Sequence, residues 1–332
     1  MQRSGQLVEG GRTMKIEQRE VAGAEGHLAV TVAGEGPLIL CVHGWPELAY
    51  SWRHQMTYFA DRGFAVAALD VRGYGASTKP AAIEAYTLTA LAGDVARVAE
   101  ALSEAPAVLF GHDWGAPIAY HSALLHPERF RAVAGLSVPF APPGPVPFIE
   151  VAETIYADRF FYQAYFQTPG VAEAELEADP EEALARIYFA LSGDAPLDSW
   201  LQMKPKEAGL LQGLTRPDPF PAWMPAEALA VYVKAFRAGG FRGPLNRYRA
   251  QRLDAEQLRR VHGQQLAQPS CFIGGERDAV RHFLLGMDLY ADPGAGCADF
   301  RGATLIPGAG HWVQQEAPEA CNVALEAFLR RL

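Results

Sequence analysis

The chain has 332 residues, 49% of them apolar and 20% charged, with a formal charge of −9 at neutral pH. That length and apolar content suffice for a substantial core, either in one large α/β domain or in a domain carrying a second, inserted one. The acidic balance argues against nucleic acid and anionic membrane as partners. The 32 glycines and 24 prolines are spread through patterned sequence, which argues against disorder over most of the length.

Residues 1–14 lack the apolar segment of a signal peptide, and no run approaches the roughly 20 apolar residues of a membrane span. Cys41, Cys271, Cys297 and Cys321 are widely spaced, with no CxxC and no Cys/His ligand cluster. Free thiols in a reducing compartment are expected. The reading is a cytoplasmic protein, monomeric or homodimeric, with residues 1–13 as a flexible N-terminal extension.

In chain order, residues 14–34 alternate in short stretches such as Leu28-Ala-Val-Thr-Val32, predicting two antiparallel strands joined near Gly23 to Gly26. Pro37-Leu-Ile-Leu-Cys-Val42 is an apolar run suited to a strand buried on both faces, and it leads into His43-Gly44-Trp45-Pro46. A helix is predicted over 52–61 and a buried strand over 64–69, followed by Asp70 and the turn Arg72-Gly73-Tyr74-Gly75. Residues 87–102 carry clear helical periodicity, with Leu88, Leu91, Ala92, Val95, Val98, Ala99 and Leu102 recurring at three and four. A strand at 106–110, the turn Gly111-His112-Asp113-Trp114-Gly115, a helix from Pro117 to about Leu125 and a strand at 132–138 follow. Such alternation predicts an α/β fold with a mostly parallel sheet and flanking crossover helices.

Character changes at Pro139. Proline-rich sequence leads into aromatic and helical segments at 160–166, 180–191 and 226–239, with no convincing strand before about 250. An inserted helical domain over 139–250 is expected, within an α/β core of 14–138 and 251–332. The core resumes with strands at 270–273 and 303–306, which end in Gly274-Gly-Glu-Arg-Asp278 and Pro307-Gly-Ala-Gly-His311. Residues 318–331 read as a closing helix packed through Val323, Leu325, Phe328 and Leu329.

Four stretches therefore fall just beyond strand ends, where open α/β sheets place their chemistry. The strand–turn–helix around Asp113 has the form of a nucleophile elbow, but a carboxylate stands where Ser is usual. A carboxylate can attack an electrophilic carbon and form an ester, which a second step must hydrolyse. His311 suits the base of that step, since imidazole titrates near neutrality. Asp278 would hold its tautomer, although Glu276 is nearby. The amides of Trp45 and Trp114 would form an oxyanion hole. His43, His112 and Asp70 read as structural groups beside the site. Asp113, His43, His112 and His311 match no compact metal-ligand spacing, and neither metal nor organic cofactor is expected.

These residues closely resemble the α/β-hydrolase-fold epoxide hydrolases, over about residues 25–332. The matching pieces are His-Gly-Trp-Pro at 43–46, Asp-Val-Arg-Gly-Tyr-Gly at 70–75, Gly-His-Asp-Trp-Gly at 111–115, Gly-Glu-Arg-Asp at 275–278 and Gly-His-Trp at 310–312. The resemblance implies Asp113 as nucleophile, His311 as base, Asp278 as its partner, and a helical cap over the site. It also implies two cap tyrosines that hold the epoxide oxygen: Tyr162, in the segment 160–170, and Tyr248, in Asn246-Arg-Tyr-Arg249, with Tyr165 the nearest competitor to Tyr162. The expected partners are a small apolar epoxide and water, the product a vicinal diol, and the pocket walls Trp45, Trp114, Phe140, Phe160 and Trp312. A haloalkane dehalogenase is the alternative enzyme. Trp114 suits it as a halide donor, but Trp45 stands where that family often has Asn. A small-molecule-binding receptor on the same scaffold is the non-enzyme alternative, and the intact nucleophile, acid and base argue against it.

Overall fold

The computed structural model describes residues 3–9, 12–200, 203–284 and 286–332. Its strands are β1 (Arg3–Glu9), β2 (Arg12–Gly23), β3 (Gly26–Ala33), β4 (Leu38–Val42), β5 (Ala65–Leu69), β6 (Ala107–His112), β7 (Phe130–Leu136), β8 (Ser270–Gly275) and β9 (Phe300–Ile306). They form one sheet in the order β1-β2-β3-β5-β4-β6-β7-β8-β9. The first three pairings of that order are antiparallel and every pairing from β5 to β9 is parallel. The expectation of a flexible extension at 1–13 does not hold for Arg3–Glu9, which pair with Arg12–Gln18. This pairing satisfies backbone groups of β2 that an edge position would leave open.

Strand alternation explains why the central strands are apolar throughout. On β4, Leu38, Leu40 and Val42 enter one core while Ile39 and Cys41 enter the other. On β6, Leu109 joins the first and Val108 and Phe110 the second. The first core receives Leu91, Val95 and Val98 of the helix Leu88–Leu102 and Ile118 of the helix Gly115–Leu125. The second receives Met56 and Phe59 of the helix Arg53–Ala60, and Leu325 and Phe328 of the helix Pro318–Leu329. With a face buried on each side, neither set of positions tolerates polarity. Val323, expected to pack, is instead 61% exposed on the outer face of the closing helix. The four cysteines are free, three of them buried.

Between β7 and β8 the described residues form helices and no strand. The longest of these, Pro180–Ala190 and Ala226–Gly239, bury Leu184, Ile187, Tyr188, Leu229, Tyr232 and Phe236. Those side chains belong to the same apolar cluster as Trp45 and Tyr74, so this layer is continuous with the core beneath it. Polar pins add direction: Tyr188 donates to Pro46 O at 3.0 Å, and the Tyr232 hydroxyl lies 2.8 Å from Ser51 Oγ. The helical run also extends past residue 250 through Gln251–Gln257.

Strand register decides where the site lies. Val42 is level with Gly111, Gly111 with Gly135, Leu136 with Ile273, and Gly275 with Ile306. The loops after β4, β6, β8 and β9 therefore open side by side at one edge. Phe110, wholly buried against Phe59 and Trp52, anchors the strand that carries the central loop. Phe110→Ala is expected to lower unfolding free energy by about 3–5 kcal/mol, and Val323→Ala by less than about 0.5 kcal/mol, both read from urea titrations.

Candidate active site

Asp113 follows β6 directly and precedes the helix Gly115–Leu125. Its φ is 50°, in the left-handed region that side-chain-bearing residues rarely adopt. Such a conformation costs on the order of 1–3 kcal/mol and persists because the flanking strand and helix over-determine it. It lifts the carboxylate out of the sheet edge. Trp45 N donates to Asp113 Oδ1 at 2.7 Å. Gly44 permits that approach, since a Cβ there would lie 2.2 Å from the same oxygen. Trp114 is the N-cap of the following helix, so its amide belongs to the unpaired donors at the positive end of the helix dipole.

On the other side, His311 Nε2 lies 3.3 Å from Asp113 Oδ2, and His311 Nδ1 lies 3.0 Å from Asp278 Oδ2. The imidazole thus bridges two carboxylates from loops 165 residues apart in sequence. Burial disfavours its charged form, but the Asp278 and Asp113 carboxylates outweigh burial and push its pKa up to about 10. Asp278 is 2% exposed. Its Oδ1 accepts from Val280 N at 2.8 Å, and the Tyr290 hydroxyl lies 2.6 Å from Oδ2.

Tyr162 and Tyr248 come from the helical layer. Burial pushes both phenols well above their ordinary range; next in weight come the charge of Asp113 at Tyr162 and the neighbouring Tyr162 at Tyr248. Each therefore keeps a proton to donate at neutral pH. Tyr162 Oη accepts from Gln163 Nε2 at 2.8 Å, a bond that does not use the phenol's own proton. The two tyrosine rings are 5.9 Å apart, and Tyr248 packs edge-on against Trp114 at 5.3 Å and Trp45 at 5.9 Å. Buried ion pairs flank Tyr248 in sequence, Arg249 with Glu173 at 2.7 Å and Arg247 with Asp254. Tyr165 points elsewhere and donates to Glu175 at 2.8 Å.

Of the five expected wall residues, Trp45 and Trp114 lie between Asp113 and Tyr248. Phe160 lines a cavity of about 480 Å³ together with Tyr162, Phe161, Trp200, Leu210 and Leu214. Phe140 packs on Tyr120 at 5.2 Å, on the helix that follows the elbow. Trp312 backs His311 at 4.8 Å and donates from its indole to Tyr188 O at 2.8 Å. Those two serve the framework around the site, because their rings are engaged with core and cap side chains.

Other buried polar residues complete the arrangement. Glu47 Oε2 lies 2.6 Å from His112 Nδ1 and accepts from Gly44 N at 3.1 Å. Burial would raise the Glu47 carboxyl, yet His112, His43 and the Gly44 amide hold it at about 2. His112 Nε2 faces His311 O at 2.7 Å, and Ser137 Oγ donates to that same carbonyl at 2.8 Å. Hence His112 supports the His311 backbone through one ring nitrogen and pairs with Glu47 through the other. His43 Nδ1 donates to Gly44 O at 2.8 Å while its Nε2 accepts from Val71 N at 3.0 Å, and Asp70 accepts from Ala49 N and Ala76 N. Sequence reasoning passed over Glu47, Ser137, Tyr290 and Glu316. For Glu47 a signal existed, an acid directly after His-Gly-Trp-Pro; for the others none did.

Comparison with known proteins agrees with this geometry. The family described as alpha/beta hydrolase fold matches residues 37–318. Epoxide hydrolase A of Mycobacterium tuberculosis is 40% identical over 308 residues, 92% of this chain and 94% of that one. The chain belongs to the epoxide hydrolases of the α/β-hydrolase fold. Among solved structures, an epoxide hydrolase from an endophytic Streptomyces superimposes with a TM-score of 0.90 at 42% identity, covering 95% of each chain. Epoxide hydrolase A of Mycobacterium thermoresistibile gives 0.88 at 39% identity, covering 95% of this chain and 98% of that one. This enzyme is thus a hydrolase of the epoxide-hydrolase type, with the helical layer as its cap. Among its described residues no helix is long and apolar enough to cross a membrane.

The elevated His311 pKa has a consequence for stability. The folded enzyme binds a proton at His311 more tightly than the unfolded chain, whose histidines titrate near 6.5. The stabilisation is fully present below about pH 6.5 and is lost as pH rises toward about 10. The difference in melting temperature between wild type and His311→Gln should therefore be widest near pH 6 and narrow steadily to pH 10. A difference independent of pH over that interval would show that His311 is not an imidazolium in the free enzyme.

Proposed function

We propose that this enzyme hydrolyses a small apolar epoxide to a vicinal diol through a covalent ester on Asp113. The observation that carries the reading is a carboxylate on a strained elbow, with His311 on one side and two phenols that burial keeps protonated on the other. Asp113 attacks one epoxide carbon through the oxygen that faces His311. The C–O bond of the ring breaks, and the developing alkoxide is held by Tyr162 and Tyr248 and takes a proton from one of them. Asp113 is then a neutral ester, and its other oxygen remains at the amide of Trp45, with the Trp114 amide as second donor.

Ester formation also prepares the second step. Of the two carboxylates that hold His311 protonated, one is now uncharged, so the imidazole pKa falls, its proton returns to the phenolate left by ring opening, and neutral His311 becomes a base when a base is needed. It takes a proton from water, which adds to the ester carbon. The tetrahedral oxyanion sits at the Trp45 and Trp114 amides and collapses; the ester C–O bond breaks, and the departing alkoxide takes the remaining proton of the added water, which releases the diol and restores the Asp113 carboxylate beside a protonated His311. Asp278 holds the imidazole ring and the positive charge it acquires. In this reading residues 139–250 are the cap and 14–138 with 251–332 the catalytic core, and the cavity beside Tyr162 receives an apolar substituent.

Repeated turnover in oxygen-18 water should place the label in the Asp113 carboxylate, read by mass spectrometry of its peptide; turnover without label there would exclude the ester. Replacing both Tyr162 and Tyr248 by Phe should slow ester formation by about 10²–10⁴-fold, measured in a single turnover with styrene oxide. Bromoalkanes should release no halide at a rate comparable with diol formation, because the position of Trp45 offers an indole where a dehalogenase often has an amide side chain.

A further inference from the structure

Tyr290 lies in none of the motifs that mark the site, yet its hydroxyl reaches the centre of it. It is 2.6 Å from Asp278 Oδ2 and 2.7 Å from Ser137 O. A phenol has one proton and here faces two acceptors. Were the proton given to Ser137 O alone, phenol lone pairs would face the lone pairs of a carboxylate oxygen at 2.6 Å, an arrangement that their repulsion disfavours. The proton is therefore directed at the carboxylate. Asp278 Oδ2 then accepts from both Tyr290 and His311, while Oδ1 is occupied by Val280 N at 2.8 Å.

Tyr290 is itself held firmly. Its ring packs edge-on against Phe272 of β8 at 4.7 Å, and its backbone amide donates to Asp288 Oδ1 at 2.9 Å. Asp288 pairs with Arg281, whose Nε is 3.1 Å away, and the Arg281 guanidinium lies 5.4 Å from the Tyr290 ring. The segment after Asp278 thus folds back to bring one phenol to one carboxylate oxygen.

We propose that Tyr290 is a positioning residue that donates to Asp278 Oδ2, fixing the orientation of that carboxylate and moderating its grip on the His311 imidazolium. The inference rests on the roles proposed above for His311 and Asp278. The charged and titratable groups that bear on the pair are Asp113 and His112 beside His311, Tyr162, Glu316 and Tyr290 near Asp278, and Arg281 behind Tyr290. Among these Tyr290 alone donates a side-chain hydrogen bond to Asp278 without exchanging a proton in the cycle. Removing the donor leaves a more basic carboxylate, which stabilises the imidazolium and delays its loss of a proton.

The test is the pH profile of ester hydrolysis, followed separately from ester formation by stopped flow. Tyr290→Phe should move the acid limb of hydrolysis upward by roughly 0.5–1 pH unit, the share of one charge-assisted hydrogen bond that reaches His311, with little change in the rate of ester formation. Incorporating 3-fluorotyrosine at position 290 strengthens the donor at nearly constant shape and should move the limb downward. Opposite shifts cannot arise from packing alone. An unmoved limb in both variants overturns the inference; if Tyr290→Phe fails to fold, the fluorinated variant decides. Asp278→Asn and His311→Gln run alongside and should accumulate ester, visible by intact mass. If they turn over normally, the roles of His311 and Asp278 fall, and the inference with them. If they trap ester while both Tyr290 variants keep the wild-type limb, only the inference falls.

Discussion

A single buried imidazole held between two carboxylates is the contact on which the rest of this structure depends. Taking polar groups out of water without partners is costly, and here each is answered at close range: the part-exposed Asp113 by His311 and the Trp45 amide, the buried Asp278 by His311, Val280 and Tyr290. The same arrangement gives the site its proposed timing. One of the two carboxylates that raise the His311 pKa is the group that the first step would neutralise.

That contact requires three loops to meet within a few ångströms, and the parallel sheet supplies the meeting place. Strands β6 and β8 are separated by β7 alone, and β9 lies beside β8, so the loops carrying Asp113, Asp278 and His311 leave neighbouring strand ends. Backbone strain completes the fit. Asp113 and Ser137 both adopt positive φ, at 50° and 63°, and both end parallel strands. Ser137 uses its position to donate to His311 O and to present its own carbonyl to Tyr290.

The cap is tied by hydrogen bonds to the loop that carries His311. His311 N donates to Leu191 O at 2.8 Å, and Glu316 accepts from Gly193 N, Gly310 N and Trp312 N at 2.8–2.9 Å. The two backbones approach so closely that a Cβ on Gly310 would lie 2.3 Å from Gly193 N. One carboxylate thereby clamps cap backbone to the loop that holds His311, so the positions of the cap and of His311 are linked by direct hydrogen bonds.

The sequence by itself determined the alternation of strands and helices, the helical insertion and the three loops that meet around His311. These depend on local signals: apolar runs of strand length, helical periodicity, and small residues that allow sharp turns beside Asp113 and His311. The loop of Trp45 and the presence of Tyr162 and Tyr248 beside the site were legible through motif resemblance for the same reason, since each motif lies within a few consecutive residues. Only the tertiary structure decided that Tyr165 turns to Glu175 while Tyr162 stays beside Tyr248, that Phe140 and Trp312 pack into the framework, and that Arg3–Glu9 extend the sheet. It alone brought Glu47 to His112, Glu316 to Gly193 and Tyr290 to Asp278. Those pairings depend on which side chains meet across distant segments of chain, and a local pattern carries the period of an element but not the identity of the neighbour its buried polar groups will face.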